Sequence, residues 1–197
     1  MIEPGQIQVV VVSHDRPPNT LLSLWLCAHG LVDWRPSSYD YDVGEVRNQA
    51  VRRFLHEDIP AGKRYLLLID DDIIPLPNTD AILSAEGELV YCGSVGPFGT
   101  RGHLGDGDFG ENCCRMSHRL LQRMAYPYFK TEYRDGVRVA CDGRRFRDQA
   151  AANGVPSHMV GVVGHQQTCI LVPVDEPPGY RVTWPHELRL QEADRLT

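Results

Sequence analysis

Four consecutive valines, Val9 to Val12, stop at Ser13-His14-Asp15-Arg16-Pro17-Pro18, and they constrain the fold of this chain more than any other feature. Alternate residues of a strand face opposite sides, so an unbroken β-branched run is apolar on both faces and needs cover above and below. It predicts a buried strand over 8–12 in a sheet with helices on both sides. Arg64 to Ile69 is a second such run and ends abruptly in Asp70-Asp71-Asp72. Between the two, Asn19 is placed to cap a helix running to Cys27 or Ala28, with Gly30 ending it. Residues 31–42 read as loop, and a helix follows from Gly44 to Glu57.

The rest of the chain continues the alternation. A short helix is expected over 78–85 and a strand over 89–95. The glycine-dense stretch 96–110, with six glycines, reads as a loop. A strand over 112–116 leads into a helix capped by Ser117. A hairpin turns at Asp135-Gly136, and a helix from Gly143 to Asn153 stops at Gly154. Strands are expected at 160–163 and 168–172, then an extended, Pro-rich stretch from Pro173 to Pro185. This is an α/β chain with a mixed, mainly parallel sheet, Rossmann-like in outline. We expect one domain over 1–172 and a tail over 173–197.

The 197 residues are 42% hydrophobic and 23% charged, a globular balance that excludes a largely disordered protein. No apolar run approaches the ~20 residues that span a bilayer, and no secretory signal is visible at Met1-Ile2-Glu3-Pro4-Gly5. The expected location is cytoplasmic. None of the six cysteines forms a CxxC pair, so they are expected to be buried thiols rather than a zinc site. The net charge is −6, yet residues 101–150 hold 10 of the 20 Lys and Arg against 7 of the 26 Asp and Glu. A solvated face or a surface for an anionic partner would each explain that asymmetry.

The candidate chemistry begins at the triple aspartate. Ligands of open α/β sheets bind at the carboxyl ends of strands. Alternation sends Asp70 and Asp72 to one side and Asp71 to the other. Two convergent carboxylates make a hard oxygen site for Mg²⁺ or Mn²⁺. On the helix at 43–57, Arg47 falls in the middle of the apolar face formed by Val43, Val46, Ala50, Val51 and Phe54. A buried guanidinium needs an anion, either one of the aspartates or a bound diphosphate. Asp142 stands between a strand and a helix, with Phe146 as the helix's core anchor. His165 follows an apolar run and a glycine.

These segments, in this order, resemble the GT-A glycosyltransferases, nearest the family 2-like enzymes. Ser13-His14-Asp15-Arg16-Pro17 is similar to that fold's nucleotide-binding loop, and Val46-Arg47-Asn48-Gln49-Ala50 to its Arg-Asn helix motif. Leu68-Ile69-Asp70-Asp71-Asp72 resembles the DxD motif, and Asn112 to Ser117 with Leu120-Leu121 the strand and helix behind the acceptor site. Asp142-Gly143-Arg144-Arg145-Phe146 resembles the Glu-Asp segment, though Cys141 stands where the family has the first carboxylate. Gly164-His165 resembles the late metal-binding histidine.

The resemblance implies transfer of a sugar from a nucleotide-diphosphate donor, a UDP-sugar by expectation, to an acceptor hydroxyl with inversion. Asp72 and His165 would hold Mn²⁺ or Mg²⁺. Ser13, Asp15, Arg16, Arg47, Asp70 and Asp71 would bind the donor, and Asp142 would be the general base. Arg144 and Arg145 would face an anionic acceptor. DNA carrying hydroxymethylated bases is one such acceptor, because compact viral enzymes that resemble this chain act on it. Saccharide, protein and small-molecule acceptors remain open, as do a nucleotidyltransferase and a non-catalytic nucleotide-sugar binder.

Overall fold

A computed structural model gives the fold and describes residues 2–13, 18–31, 33–38, 42–95, 110–135, 137–165, 170–173 and 180–183. The valine run is β1 (Ile7–Ser13), buried along its whole length. It leads through α1 (Thr20–Ala28) to β2 (Arg35–Ser38), then through α2 (Val43–Arg53) and a π-helical turn (Phe54–Asp58) to β3 (Tyr65–Asp70). β4 (Ile73–Pro75), α3 (Ala81–Ser84) and β5 (Leu89–Val95) follow, then β6 (Cys113–Ser117) and α4 (His118–Arg123). The hairpin β7 (Glu132–Arg134) and β8 (Val137–Ala140) precedes α5 (Asp142–Ala152) and β9 (His158–His165). β10 (Ile170–Pro173) and β11 (Tyr180–Thr183) pair antiparallel. The chain divides into two compact units, Met1–His165 and Gln166–Thr197.

Seven strands form the main sheet in the order β2-β1-β3-β6-β5-β9-β4. β2, β1, β3, β5 and β9 run in one direction, while β6 and β4 run against them. The sheet is therefore mixed and mainly parallel, in an α/β domain of Rossmann-like form. Its alternation sorts the core into two layers. Val9, Val11, Leu67 and Ile69 pack with Leu22 and Leu26 of α1 and Ile82 of α3. Val10, Leu66 and Leu68 pack with Ala50, Val51 and Phe54 on the α2 side and Phe146 and Ala150 of α5. Both faces of β1 are thus covered, as its composition demands.

The helix ends follow the sequence signals. Asn19 accepts from the Leu21 amide at 2.8 Å, and Ser117 accepts from the Leu120 amide at 3.1 Å. Three short strands were not anticipated. The 31–42 stretch contains β2, which pairs Ser37 and Ser38 with Val12 and Ser13. Its Pro36 and polar composition hid it, and both are tolerated because β2 is an edge strand. β4 is too short to show a period, and its pairing with β9 defines it. The stretch read as a plain extended tail holds β11, which needs β10 as a partner to be recognised. Of the cysteines, Cys92, Cys113 and Cys114 are buried thiols, but Cys27 is exposed and Cys141 half-buried, while Cys169 lies outside the described residues.

Candidate active site

The topology selects one edge of the sheet. From β1 the chain moves through α1 to β2 on one side, then through α2 back across to β3 on the other. The order reverses between β1 and β3, and such a switch point opens a crevice at the carboxyl ends of the strands. Ser13 and Asp70 end the two strands that flank it. Val95 and His165 end β5 and β9 at the same edge, where antiparallel β6 begins just after Glu111 and Asn112. The Asn112 carbonyl accepts from the Asp70 amide at 2.8 Å. A larger cavity of about 630 Å³, lined by Gln6, Tyr65, Glu88 and Ser117 among others, lies at the opposite edge, away from every carboxylate singled out above.

Alternation decides where Asp70 points. It continues the Leu66, Leu68 series toward α2 and α5, and there it meets Arg47, which is 2% exposed. The guanidinium donates through NH2 to both Asp70 oxygens, at 2.8 and 3.1 Å, and through NH1 to Asp142 Oδ2 at 2.6 Å. The partner of the buried arginine is therefore a pair of aspartates. They come from positions far apart in sequence, the end of β3 and the first residue of α5. Burial lowers the proton affinity of Arg47, but Asp70, Asp142 and Glu111 outweigh it, so the group is held firmly charged. Asp70 is pushed up to about 6, chiefly by burial and further by Asp72 and Glu111, with Arg47 opposing.

Asp142 is 4% exposed and does not cap its helix. Cys141 holds the cap position and makes no side-chain cap bond there. Phe146, one turn on, stacks on Phe129 with ring centroids 4.6 Å apart and anchors α5 against the core. Asp71 is buried and ties three elements through its backbone. Its amide donates to Val12 O at 3.0 Å, and its carbonyl accepts from Asn19 N at 2.8 Å. Ser13 is buried at the end of β1. Asp15 and Arg16 lie outside the described residues, as does loop 96–109. Asp72 is partly exposed, and His165 pairs in register with Ile73, the residue after it, so the backbone brings these two positions side by side. Arg144 is exposed and faces Asp148 at 3.7 Å, whereas Arg145 donates through Nε to Pro127 O at 2.9 Å.

Sequence reading missed Glu111. It is buried just ahead of β6, and its Oε2 has no hydrogen-bond partner among the described residues. A Cβ on Gly143 would meet that oxygen at 2.5 Å, so the carboxylate lies directly against the first turn of α5. A glycine inside a helix, where no turn requires it, was the available signal of such a close approach. Gly143→Ala should therefore lose stability rather than gain the ~0.5–1 kcal/mol usual for Gly to Ala in a helix. Crowding Glu111 should cost about 1–3 kcal/mol. In Glu111→Ala the same Gly143→Ala change should cost much less, since only the Cβ contact at 3.1 Å remains, so urea unfolding of the four variants should give a clear coupling energy.

Among the described residues, no three His, Cys, Asp or Glu side chains gather into a ready metal cage. The charge still suits a cation. Asp70, Asp72, Glu111 and Asp142 outnumber the Arg47 guanidinium, and one Glu111 oxygen is unmatched among the described residues. Mg²⁺ is commonly held by one or two carboxylates and completed by substrate phosphates, so few protein ligands are needed. Among the described residues, no helix is long and apolar enough to cross a membrane.

No known protein family and no curated protein matches the sequence. Among solved structures, A197 from STIV superposes with a TM-score of 0.52 at 12% identity, over 90% of this chain and 93% of that one. A glycosyltransferase involved in the glycosylation of the major capsid of PBCV-1 superposes with a TM-score of 0.45 at 12% identity, over 82% of this chain and 94% of that one. At 12% identity the likeness to A197 is one of fold.

Proposed function

We propose that this chain is a metal-dependent glycosyltransferase that moves a sugar from a nucleotide-diphosphate donor to an acceptor hydroxyl with inversion. The observation that carries the reading is the buried Asp70–Arg47–Asp142 bridge at the switch-point edge of the sheet. It holds two carboxylates from distant segments at the place where an α/β sheet receives a ligand. Ser13, with Asp15 and Arg16 beyond it, would meet the nucleotide. Asp70 and Asp71 would complete the donor site beside β1. Asp72 and His165 would hold Mn²⁺ or Mg²⁺, which when bound supplies positive charge to the departing diphosphate. Asp142, its Oδ2 fixed by Arg47, would take the proton of the attacking hydroxyl. A base opposite the leaving group implies direct displacement and hence inversion.

The test is donor binding. A panel of nucleotide-sugars, UDP-sugars first, should raise the melting temperature only when Mn²⁺ or Mg²⁺ is present. Asp72→Asn should remove that metal-dependent rise while leaving the free protein folded, because Asp72 is outside the buried bridge. Tight, metal-independent donor binding by Asp72→Asn would refute the metal assignment. Failure of every nucleotide-sugar to stabilise the native chain would refute the transferase reading.

A further inference from the structure

We propose that the groove between the first turn of α2 and residues 126–133 is the acceptor subsite, and that it takes a neutral polyhydroxylated acceptor, a saccharide. The assignment rests on the transferase reading and names its acceptor class. The groove encloses about 530 Å³, within the ~300–1,000 Å³ of small-molecule sites. Asp42, Glu45, Tyr126, Lys130, Thr131 and Tyr133 supply its polar and aromatic lining.

Its place relative to the bridge is set by Gly44, between the lining residues Val43 and Glu45. A Cβ there would stand 3.3 Å from Asp142 Cβ and 3.7 Å from the Phe129 carbonyl carbon. One glycine's breadth therefore separates the groove wall from Asp142. The walls are held by specific bonds. Asn48 brackets Phe129, accepting from its amide and donating to its carbonyl, both at 2.9 Å. Arg145 and Gln149 donate to the Pro127 carbonyl at 2.9 and 3.0 Å. The Tyr126 hydroxyl donates to Glu45 Oε2 at 3.2 Å.

The lining chooses the ligand class. Tyr126 and Tyr133 are 53% and 67% exposed; Arg52 stands over the Tyr126 ring at 5.9 Å from its centroid, and the remaining exposed ring surface suits the C–H face of a sugar ring. Asp42 and Glu45 are carboxylates, which as ions only accept hydrogen bonds, and hydroxyls donate them whereas phosphates do not. The lining carries two carboxylates and one ammonium, Lys130, a balance that favours a neutral ligand over an anion.

Half of the ten cations of residues 101–150 have partners within the fold. Arg115 is fully buried, donating to Leu83 O and Ala85 O under the Tyr65 ring. Arg123 pairs with Glu88, Arg145 is turned to Pro127, and Arg144 and Arg147 both meet Asp148.

The experiment is an array of neutral glycans, with duplex DNA as the anionic comparator, probed with the full chain and without nucleotide-sugar or metal. Neutral glycans should be captured, with binding nearly constant from about 50 to about 200 mM salt. Tyr133→Ala, at an exposed site that leaves the core untouched, should weaken capture roughly tenfold or more. Glu45→Gln, nearly isosteric, should weaken it as well. Capture of no neutral glycan, or equal capture by Tyr133→Ala, would overturn the proposal. So would salt-sensitive binding to DNA alone. Because no donor is present, glycan capture is independent of the donor panel: stabilisation by a nucleotide-sugar without glycan capture would sink the groove assignment and leave the transferase reading standing.

Discussion

Arg47→Met should be the most damaging single substitution outside the apolar core. It removes the cation from between Asp70 and Asp142 and leaves Glu111 beside them without a neighbouring positive charge. Methionine nearly matches the arginine stem in volume, so the loss is electrostatic rather than a cavity. Removing one partner of a buried ion pair costs about 3–5 kcal/mol. At ~2–4 °C per kcal/mol for a domain of this size, the melting temperature should drop by roughly 6–20 °C. Arg47→Lys should fall between the two, because one ammonium cannot serve both carboxylates in the fork geometry of a guanidinium. Combining Arg47→Met with Asp70→Asn and Asp142→Asn should recover part of the loss, since a neutral cluster no longer buries unmatched charge. A drop of less than about 2 °C for Arg47→Met would show that the bridge is not what holds this edge together.

Asp142→Asn carries the second large effect, and it acts on two quantities. Read as a base, Asp142 cannot be replaced by an amide, and turnover should fall roughly 10²-fold or more. Read from its contacts, Asp142 is also a counter-ion of Arg47, so stability should fall too, by about 3 kcal/mol because Asp70 still pairs with the guanidinium. Helix capping does not enter, since Cys141 is the cap residue. The two roles separate by temperature. Turnover is measured well below the melting temperature of the variant, where both proteins are fully folded. A catalytic role leaves the 10²-fold deficit in kcat with donor affinity little changed. A purely structural role restores kcat as the folded fraction approaches one. Restoration would move the base elsewhere, with Glu111 the next carboxylate to test, and would reopen the inverting assignment.

Much of the fold was legible because its signals are local. Val9 to Val12 and Leu66 to Ile69 are apolar at every position, and only a strand covered on both faces buries such runs. Asn19 and Ser117 cap as their side-chain chemistry requires, since each offers an oxygen to an amide within the next three residues. The helical period placed Arg47 on the buried face of α2, and two-residue alternation separated Asp70 from its neighbour Asp71. β2, β4 and β11 were not legible. Each is four residues or fewer and gains its identity only from the ladder it joins.

The site divides along the same line. Sequence determined that a buried cation on α2 must find a partner, because an unpaired guanidinium in an apolar face costs several kcal/mol. Which partner was a tertiary decision. The return of the chain across β1 sets β3 beside it, and Phe129, held to α2 by Asn48, stacks on Phe146 of α5. Together they bring residues 70 and 142 to one guanidinium. Glu111 joins them only because Gly143 leaves room, a packing fact with no period in the sequence. The basic tally of residues 101–150 left two readings open for the complementary reason. Composition counts charges, but the fold decides which of them are already matched, and Arg115 shows the extreme case of a cation spent on backbone carbonyls inside the core.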